Sequence, residues 1–107
     1  MSQALRQLLW YLIAGTRGGA NRARILEALR ERPYNAHQLS ELLGLDYRTI
    51  RHHLDLLQRN GLLSKPVGDA YASPYFLSPI FEANFQVFEE IRRRSDSRRG
   101  DSGEIPK

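Results

Sequence analysis

Apolar side chains recur with helical spacing along most of this chain, and the spacing changes only after about residue 61. Within residues 21–31, 39–43 and 50–57 the aliphatic positions lie three or four apart, which is typical of helices with one buried face. The short runs at 62–65 and 75–77 are strand-like, and a Gly-Asp turn signal lies between them. This pattern predicts a mainly α fold with one small β-hairpin.

The centre of the chain predicts two helices joined by a tight turn. Asn35 is a capping residue type, and Gln38 follows it at the capping-box spacing. Gly44 can adopt the left-handed conformation that ends a helix, and Asp46 can cap the next helix. An Asn-Gly pair ends this second helix at residues 60–61. Because the connector is so short, the two helices must turn sharply on each other, as in a helix-turn-helix.

The two predicted helices each have an apolar inner face. In the first, Leu39, Leu42 and Leu43 are expected to point inward. In the second, a helical wheel of about 100° per residue places the inner face at Ile50, Leu54 and Leu57. The side chains opposite or beside that face are Arg48, Arg51, His52, Asp55 and Arg59.

The outer face of the second helix has the chemistry that reads DNA in the major groove. Arg48 and Arg51 can each bind a guanine edge with two hydrogen bonds. Tyr47 or Thr49, in the first turn, can reach a phosphate or a thymine methyl group, and His52 can donate to a base or a phosphate. The alternative is that these side chains form a solvated helix face that binds nothing.

The flanking segments complete a winged helix-turn-helix domain over residues 15–78. A preceding helix is expected to begin at Asn21 after a glycine-rich connector. Its inward side chains are Ile25, Leu26 and Leu29, and its outward ones are Arg22, Arg24 and Arg30. The two strand-like runs form the wing, which offers Lys65 and Tyr71 for contact with a phosphate backbone.

Both ends of the chain are predicted to add helices outside this domain. Residues 1–14 are apolar almost all round, so this helix must be buried on more than one side. Residues 79–94 follow a Ser-Pro start signal and carry a wide aromatic band. We expect the two helices to form a dimer interface through Leu5, Leu8, Leu9, Leu12, Phe81, Phe85 and Phe88. The alternative for the aromatic helix is that it only folds back onto its own core.

The extreme ends allow two further expectations. Residues 95–107 are polar and without periodicity, which predicts a disordered tail. The apolar run LLWYLIAG at 8–15 is far shorter than the roughly 20 residues of a membrane span. A signal peptide would carry a basic DNA-binding domain out of the cell, so we interpret the run as part of a soluble helix.

Composition narrows the classes of function. The formal net charge is +4, and Lys65 and Lys107 are the only lysines among 16 basic residues. Arginine binds phosphate and guanine better than lysine does, although the bias also fits a GC-rich genome. The absence of cysteine excludes disulfides, thiolate metal sites and a cysteine nucleophile, and it fits a cytoplasmic location.

Neither an enzyme nor a bound cofactor is expected. The chain has no Gly-x-Ser-x-Gly or His-Glu-x-x-His motif and no paired carboxylates in an apolar frame. His52 and His53 are adjacent on one helix and diverge by about 100°, so they cannot share a metal ion. His53 is expected to face the core.

A longer run resembles the ArsR-type winged-helix transcription regulators, in particular their archaeal members. The run is TRGGANRARILEALRERPYNAHQLSELLGLDYRTIRHHLDLLQRNGLL, and TIRHHLDLLQRNGLL is its most specific part. With the hairpin and the aromatic final helix, the resemblance covers roughly residues 15–92. It implies a homodimer that associates through terminal helices and places paired recognition helices in successive major grooves.

The resemblance also implies site residues. The groove-facing residues would be Tyr47, Arg48, Thr49, Arg51 and His52, and the turn from Asn35 to Gln38 would touch a phosphate. The chain lacks the cysteine pairs and carboxylate–histidine clusters of the metal-sensing branch, which argues against regulation by a metal.

These observations predict sequence-specific binding of double-stranded DNA by a homodimeric transcriptional regulator without membrane association. Whether a small-molecule effector exists is left open. The main alternative is a winged-helix module that binds a protein instead of DNA. Attachment to a membrane surface through residues 8–15 is a third possibility.

Overall fold

The chain is mostly helical, as its hydrophobic spacing predicts. The computed structural model describes residues 3–64, 68 and 72–103, with side chains described as far as residue 97. In chain order the elements are α1 (Gln3–Leu9), a π-helical turn (Trp10–Ala14), α2 (Gly19–Glu31), α3 (Ala36–Leu43), α4 (Tyr47–Arg59), β1 (Leu63–Ser64), β2 (Phe76–Leu77), α5 (Pro79–Ala83) and α6 (Phe85–Gly103). The predicted fold class, helices with one small antiparallel hairpin, is confirmed.

The chain divides into two compact units. One unit comprises residues 24–83, and the other comprises residues 1–23 together with 84–107. The boundary falls inside α2, whose first five residues belong to the terminal unit and whose remainder belongs to the central unit.

The central unit is organised around α4. Helix α3 and strand β1 both pack against α4, and β1 pairs with β2 so that Leu63 lies opposite Leu77. An isolated antiparallel bridge joins Tyr34 to Tyr75, where the Tyr75 N–H donates to the Tyr34 carbonyl at 2.9 Å. The fully or nearly buried apolar side chains of this unit include Ile25, Leu26, Leu29, Leu39, Ile50, Leu54, Leu57, Leu62, Leu63 and Leu77.

One predicted core position on α3 is wrong. Leu39 is fully buried and Leu43 is half-buried, but the Leu42 side chain is 52% exposed. From Leu39, a step of four residues turns a helix about 40° past a full turn, whereas a step of three stops about 60° short of it. Leu43 therefore lies closer to the inner direction than Leu42.

In the terminal unit, α1 runs into a wider helical turn. The predicted helix over residues 3–14 forms, but its last five residues are π-helical, and the Gly15 N–H donates to the Trp10 carbonyl at 2.9 Å. Helix α6 packs against both α1 and the π-helical turn. Leu9, Leu12 and Ile13 are fully buried.

Helix α2 begins two residues before the predicted start at Asn21. Gly18 adopts a φ of 87°, which reverses the chain, and its carbonyl accepts the Arg22 N–H at 3.0 Å. The connector is therefore shorter than predicted. Asn21 lies inside the helix and does not cap it.

Arg22 was predicted to face solvent, and this prediction is wrong. The residue is only 3% exposed. Its Nε donates to the Leu12 carbonyl at 2.8 Å, and its Nη2 donates to Thr16 Oγ1 and to the Arg17 carbonyl. Burial lowers the pKa of Arg22, and interaction with Tyr11 opposes that shift in part. The guanidinium thus supplies donors to backbone and hydroxyl oxygens at the end of the first helix and in the connector.

Arg24 is also more than a solvated side chain. Its Nη2 donates to the carbonyl of Leu43 at 2.9 Å, so α2 satisfies one of the acceptors at the C-terminal end of α3. The side chain is half-buried and holds two helices of the central unit together.

The C-terminal segment differs from the prediction in two respects. The single helix predicted over 79–94 is divided at Asn84 into α5 and α6. Helix α6 then continues to Gly103, so the predicted disorder from residue 95 is wrong as far as the structure describes the chain, and 104–107 lie outside the described residues.

Local interactions explain why this polar segment is helical. Ser95 is only 3% exposed, which gives the segment a buried position that its composition does not reveal. Arg94 pairs with Glu90 at 3.1 Å, and Arg92 pairs with Asp96 at 3.3 Å, both at the i, i+4 spacing that favours a helix.

Most side chains predicted to form the dimer interface are buried in the single chain. Leu9, Leu12, Phe81 and Phe88 are fully buried and Phe85 is 6% exposed, so these five offer no surface to a partner subunit. This corrects the prediction for them, because the chain's own interior covers the aromatic band. Leu5 and Leu8 on α1 are half-buried and retain some exposed surface.

We predict that Gly19→Ala destabilises the protein whereas Gly15→Ala does not. A Cβ at Gly19 would lie 2.6 Å from the carbonyl carbon of Ile13 and closer still to its oxygen, so backbone must move. At Gly15 the nearest atom would be 3.5 Å away, an ordinary contact. Urea unfolding should show a loss of about 1–3 kcal/mol for Gly19→Ala and a change within about 1 kcal/mol for Gly15→Ala. Equal stabilities for the two variants would contradict this packing.

Candidate nucleic-acid interface

The first helix of the helix-turn-helix begins with the predicted capping box. The Gln38 N–H donates to Asn35 Oδ1 at 2.8 Å, and the Asn35 N–H donates to Gln38 Oε1 at 2.8 Å. Both predicted phosphate-contacting side chains are therefore engaged at the N-terminus of α3. Gln38 remains exposed and Asn35 half-exposed, so their outer atoms border solvent.

The turn between α3 and α4 is fixed by backbone geometry. Gly44 has φ 67° and ψ 33°, the left-handed conformation predicted for it. The N–H groups of Gly44 and Leu45 both donate to the Ser40 carbonyl, at 3.0 and 3.1 Å. The Ser40 hydroxyl in turn donates to the Leu45 carbonyl at 2.6 Å. This closed set of bonds determines the direction in which the chain enters α4.

Asp46 caps α4 as its sequence position predicts. Its Oδ2 accepts the Arg48 N–H at 3.0 Å and the Thr49 N–H at 3.3 Å. The carboxylate also places negative charge at the positive end of the helix dipole. Because the same bonds fix the backbone of residues 48 and 49, the cap sets the positions from which two predicted groove-facing side chains project.

A ring stack joins the starts of the two helices. The His37 ring on α3 lies on the Tyr47 ring at the first residue of α4, with centroids 4.3 Å apart and planes 21° apart. Tyr47, predicted to face the groove, is thus half-buried against α3. This stack could not be predicted from the sequence, because nothing in the local spacing shows that the turn brings residues 37 and 47 together.

The outer face of α4 carries a continuous exposed stripe. Arg48, His52, Asp55 and Arg59 are exposed at intervals of four, three and four residues, while Ile50, Leu54 and Leu57 are fully buried. Such intervals place side chains on one side of a helix. The stripe combines two guanidinium groups and an imidazole with one carboxylate, and Thr49 lies half-exposed beside it.

Arg51 occupies a more enclosed position than Arg48. It is half-buried beside Tyr47, Asp55 and the buried Tyr75. Burial alone would lower the pKa of Arg51, but interaction with Tyr75, Tyr47 and Asp55 outweighs burial and raises it. The guanidinium therefore stays charged and is held by the oxygen atoms around it.

The same cluster acts on Tyr75 at the start of the second strand. Burial is the main cause that raises the pKa of the Tyr75 phenol, and the charge of Arg51 opposes it in part. Tyr75 is 2% exposed, so its hydroxyl stays neutral next to the cation. This link between α4 and the base of the hairpin was not predicted, because residues 51 and 75 are distant in sequence and no local pattern relates them.

The sequence predicts two contacts to the DNA backbone from the wing. Lys65 and Tyr71 lie outside the described residues. Ser73, on the connection between the strands, is 8% exposed and faces the interior. His53 is 6% exposed, in agreement with its predicted position on the buried side of α4.

Metal binding and insertion into a membrane would each require a recognisable structural feature. No group of three or more histidine, aspartate or glutamate side chains within the described ranges is arranged to hold a metal ion. None of the helices described here combines the length and the apolar character needed to cross a bilayer.

The sequence of this region matches a known family. Residues 20–65, which extend from the start of α2 to just past β1, match the model of the bacterial regulatory protein arsR family. The predicted resemblance to ArsR-type regulators is confirmed over this segment. The more specific likeness to archaeal members stays a prediction. A comparison with curated protein sequences found no significant match.

The fold is that of solved winged-helix regulators. HlyU from Vibrio cholerae aligns with a TM-score of 0.61 and 24% identity, over 85% of this chain and 97% of that one. Quinone-bound YodB from B. subtilis aligns with a TM-score of 0.61 and 17% identity, over 91% and 99%. The transcriptional regulator Tm0710 from Thermotoga maritima gives 0.56 and 19%, over 94% and 78%. At these identities the likeness establishes the winged helix-turn-helix fold.

We predict that Asp46→Ala destabilises the protein and that Asp46→Asn restores most of the loss. Alanine removes the acceptor for the Arg48 and Thr49 N–H groups, whereas asparagine keeps a side-chain oxygen in the same place. Chemical unfolding should show a cost of about 0.5–2 kcal/mol for alanine and a clearly smaller cost for asparagine. Unchanged stability in Asp46→Ala would show that the cap does not hold the start of α4.

Proposed function

We propose that this protein is a transcriptional regulator that binds specific sequences in double-stranded DNA as a homodimer, with α4 as the recognition helix. The observation that carries the proposal is the exposed stripe of Arg48, His52 and Arg59 on a helix whose opposite face is fully buried. Binding of DNA requires no catalytic group, and we assign no enzymatic activity. A regulator of this kind acts in the cytoplasm, where it has access to the chromosome.

The length of α4 assigns different roles to its two halves. Thirteen residues extend over roughly 20 Å, whereas the major groove is only about 12 Å wide. The N-terminal half, with Arg48 and His52, therefore reads bases. Asp55 lies in the next turn. Its carboxylate either accepts a hydrogen bond from a cytosine amino group or stays away from the phosphate backbone of the DNA, which repels it. Arg59 lies near the flank and attracts a phosphate.

Arg48 and Arg51 contribute in different ways under this proposal. Arg48 is exposed and can rotate to place both ends of its guanidinium on a guanine edge. Arg51 is positioned before DNA arrives by Tyr47, Tyr75 and Asp55, so it loses less side-chain entropy when it meets the duplex. Thr49 is half-exposed in the same turn and reaches the phosphate backbone, whereas the Tyr47 hydroxyl is buried and does not, which corrects the role predicted for Tyr47.

The start of α3 adds a phosphate contact. Helix N-termini attract anions because their backbone N–H groups and helix dipole both favour negative charge. The capping box holds Asn35 and Gln38 at this end, and His37 lies exposed beside them. Lys65 and Tyr71 of the wing remain proposed contacts to the backbone on the other side of the groove.

The dimer sets the spacing of the DNA site. Two recognition helices related by a two-fold axis read half-sites about 34–36 Å apart, so the operator is expected to be pseudo-palindromic. The surfaces left for subunit contact in the terminal unit include the half-buried Leu5 and Leu8. Sedimentation of the full chain should show a dimer.

We predict that Arg48→Ala weakens binding to the cognate site by about 1–3 kcal/mol and relaxes discrimination at one base pair. The cognate sequence would first be selected from a pool of random duplexes, and binding measured by fluorescence anisotropy. Arg93→Ala is the matched control, because it also removes one exposed arginine but lies on α6. A uniform loss over all sequences would make Arg48 a phosphate contact and contradict its role as a base reader.

We also predict a steep dependence on salt. With about six to ten phosphate contacts, affinity should fall by about 10³–10⁵ between 50 and 200 mM salt. Anisotropy titrations of one labelled duplex at the two concentrations measure this directly. A weak and flat response, together with no enrichment from the random pool, would overturn the proposal and favour a winged-helix module that binds a protein.

A further inference from the structure

The terminal unit contains a cavity that no part of the proposed DNA-binding surface uses. It has a volume of about 480 Å³ and is formed entirely by α1, the π-helical turn, Gly15 and α6. Trp10, Tyr11 and Ile91 form apolar walls, and Arg6 and Arg94 contribute guanidinium groups. The size lies within the range of roughly 300–1,000 Å³ found for small-molecule sites.

Positive charge exceeds negative charge around the cavity. Among the residues that the structure describes, one carboxylate, that of Glu90, pairs with both arginines: Oε1 is 3.5 Å from Arg6 Nη1, and Oε2 is 3.1 Å from Arg94 Nη2. Each guanidinium has five N–H donors, and one carboxylate cannot accept from all of them. The arginine side chains are 43% and 64% exposed, so donors remain accessible to a second anion. The cluster carries one net positive charge.

The walls of the cavity favour a flat apolar group. Trp10 and Tyr11 contribute aromatic side chains to the lining. Aromatic rings bind other aromatic rings by offset stacking or by contact between the face of one ring and the edge of the other. Gly15 contributes a wall without a side chain. An aromatic ligand with one acidic group would therefore pack against the apolar walls and compensate the excess positive charge.

The π-helical turn is an independent indication of a site. Three of the lining residues, Trp10, Tyr11 and Gly15, belong to this turn or end it. A π-helical turn is less favourable than a continued α-helix and occurs frequently at functional sites. Here it widens the helix at the place where the aromatic walls begin.

We propose that this cavity binds a small planar aromatic acid, with its ring against the walls formed by Trp10, Tyr11 and Ile91 and its carboxylate on Arg6 and Arg94. The ligand lies away from α4, and the proposal does not depend on the binding of DNA.

The test uses the full chain and the probe 2-naphthoate, with the neutral 2-naphthalenemethanol as the matched ligand. Trp10 is the chain's one tryptophan, so its fluorescence reports on the cavity, and calorimetry gives the Kd independently. We expect saturable binding of naphthoate with a change in Trp10 emission, and binding of the alcohol that is weaker by roughly fivefold or more.

Two variants and one control locate the site. Arg94→Gln should weaken naphthoate by roughly fivefold and leave the alcohol unchanged, whereas Arg93→Gln, one position away and outside the cavity lining, should change neither. Tyr11→Ala should weaken the binding of both ligands. Because Tyr11 is 60% exposed, its loss should change stability little, and unfolding curves of the variant check this.

Three results would overturn the proposal. One is the absence of saturable binding, and another is equal affinity for the acid and the alcohol. The third is a pair of observations: the wild-type dimer does not bind naphthoate, and the Tyr11→Ala variant no longer forms a dimer. Together they would show that the cavity is a contact between subunits. Because the titration contains no DNA, failure here leaves the proposed function untouched, and failure of DNA binding leaves this site untouched.

Discussion

The geometry of the turn from Gly44 to Asp46 governs the candidate interface. The left-handed glycine ends α3, and the Asp46 carboxylate begins α4 three residues after Leu43. Hydrogen bonds from the Gly44 and Leu45 N–H groups to the Ser40 carbonyl fix the backbone conformation of this turn. The angle between the helices follows, and with it the burial of Ile50 and the exposure of Arg48 on the opposite side. The basic stripe is therefore a consequence of a short segment of backbone.

Features encoded by neighbouring residues could be predicted from the sequence. The capping box at Asn35, the left-handed Gly44, the Asp46 cap and the buried side of α4 all depend on spacings of a few residues. Features that depend on contacts distant in sequence could not. The association of Arg51 with Tyr75, the burial of Arg22 and the ordering of α6 beyond residue 94 arise from packing that composition does not record. The aromatic band suggested a subunit interface, although Phe81 and Phe88 are fully buried within one chain.

The arginines illustrate how little residue type says about role. Arg22 is buried and donates to main-chain oxygens of the π-helical turn and of the connector after it, and Arg24 donates to the last turn of α3. Arg51 interacts with Tyr47 on its own helix and with Tyr75 at the base of the hairpin, while Arg48 projects into solvent from the first turn of α4. A count of basic residues indicates an affinity for nucleic acid. The number available to bind it is smaller, because several support the fold.

The division of α4 into a buried face and an exposed stripe has an evolutionary consequence. Ile50, Leu54 and Leu57 maintain the core, and none of the exposed side chains at 48, 52 and 59 contributes to it. Under the proposed function, exchange of those outer residues would therefore alter recognition of DNA at little cost to folding. Descendants of a duplicated gene could acquire separate target sequences through a few substitutions on one scaffold. The half-buried Arg51 would change more slowly, because its replacement also disturbs the base of the wing.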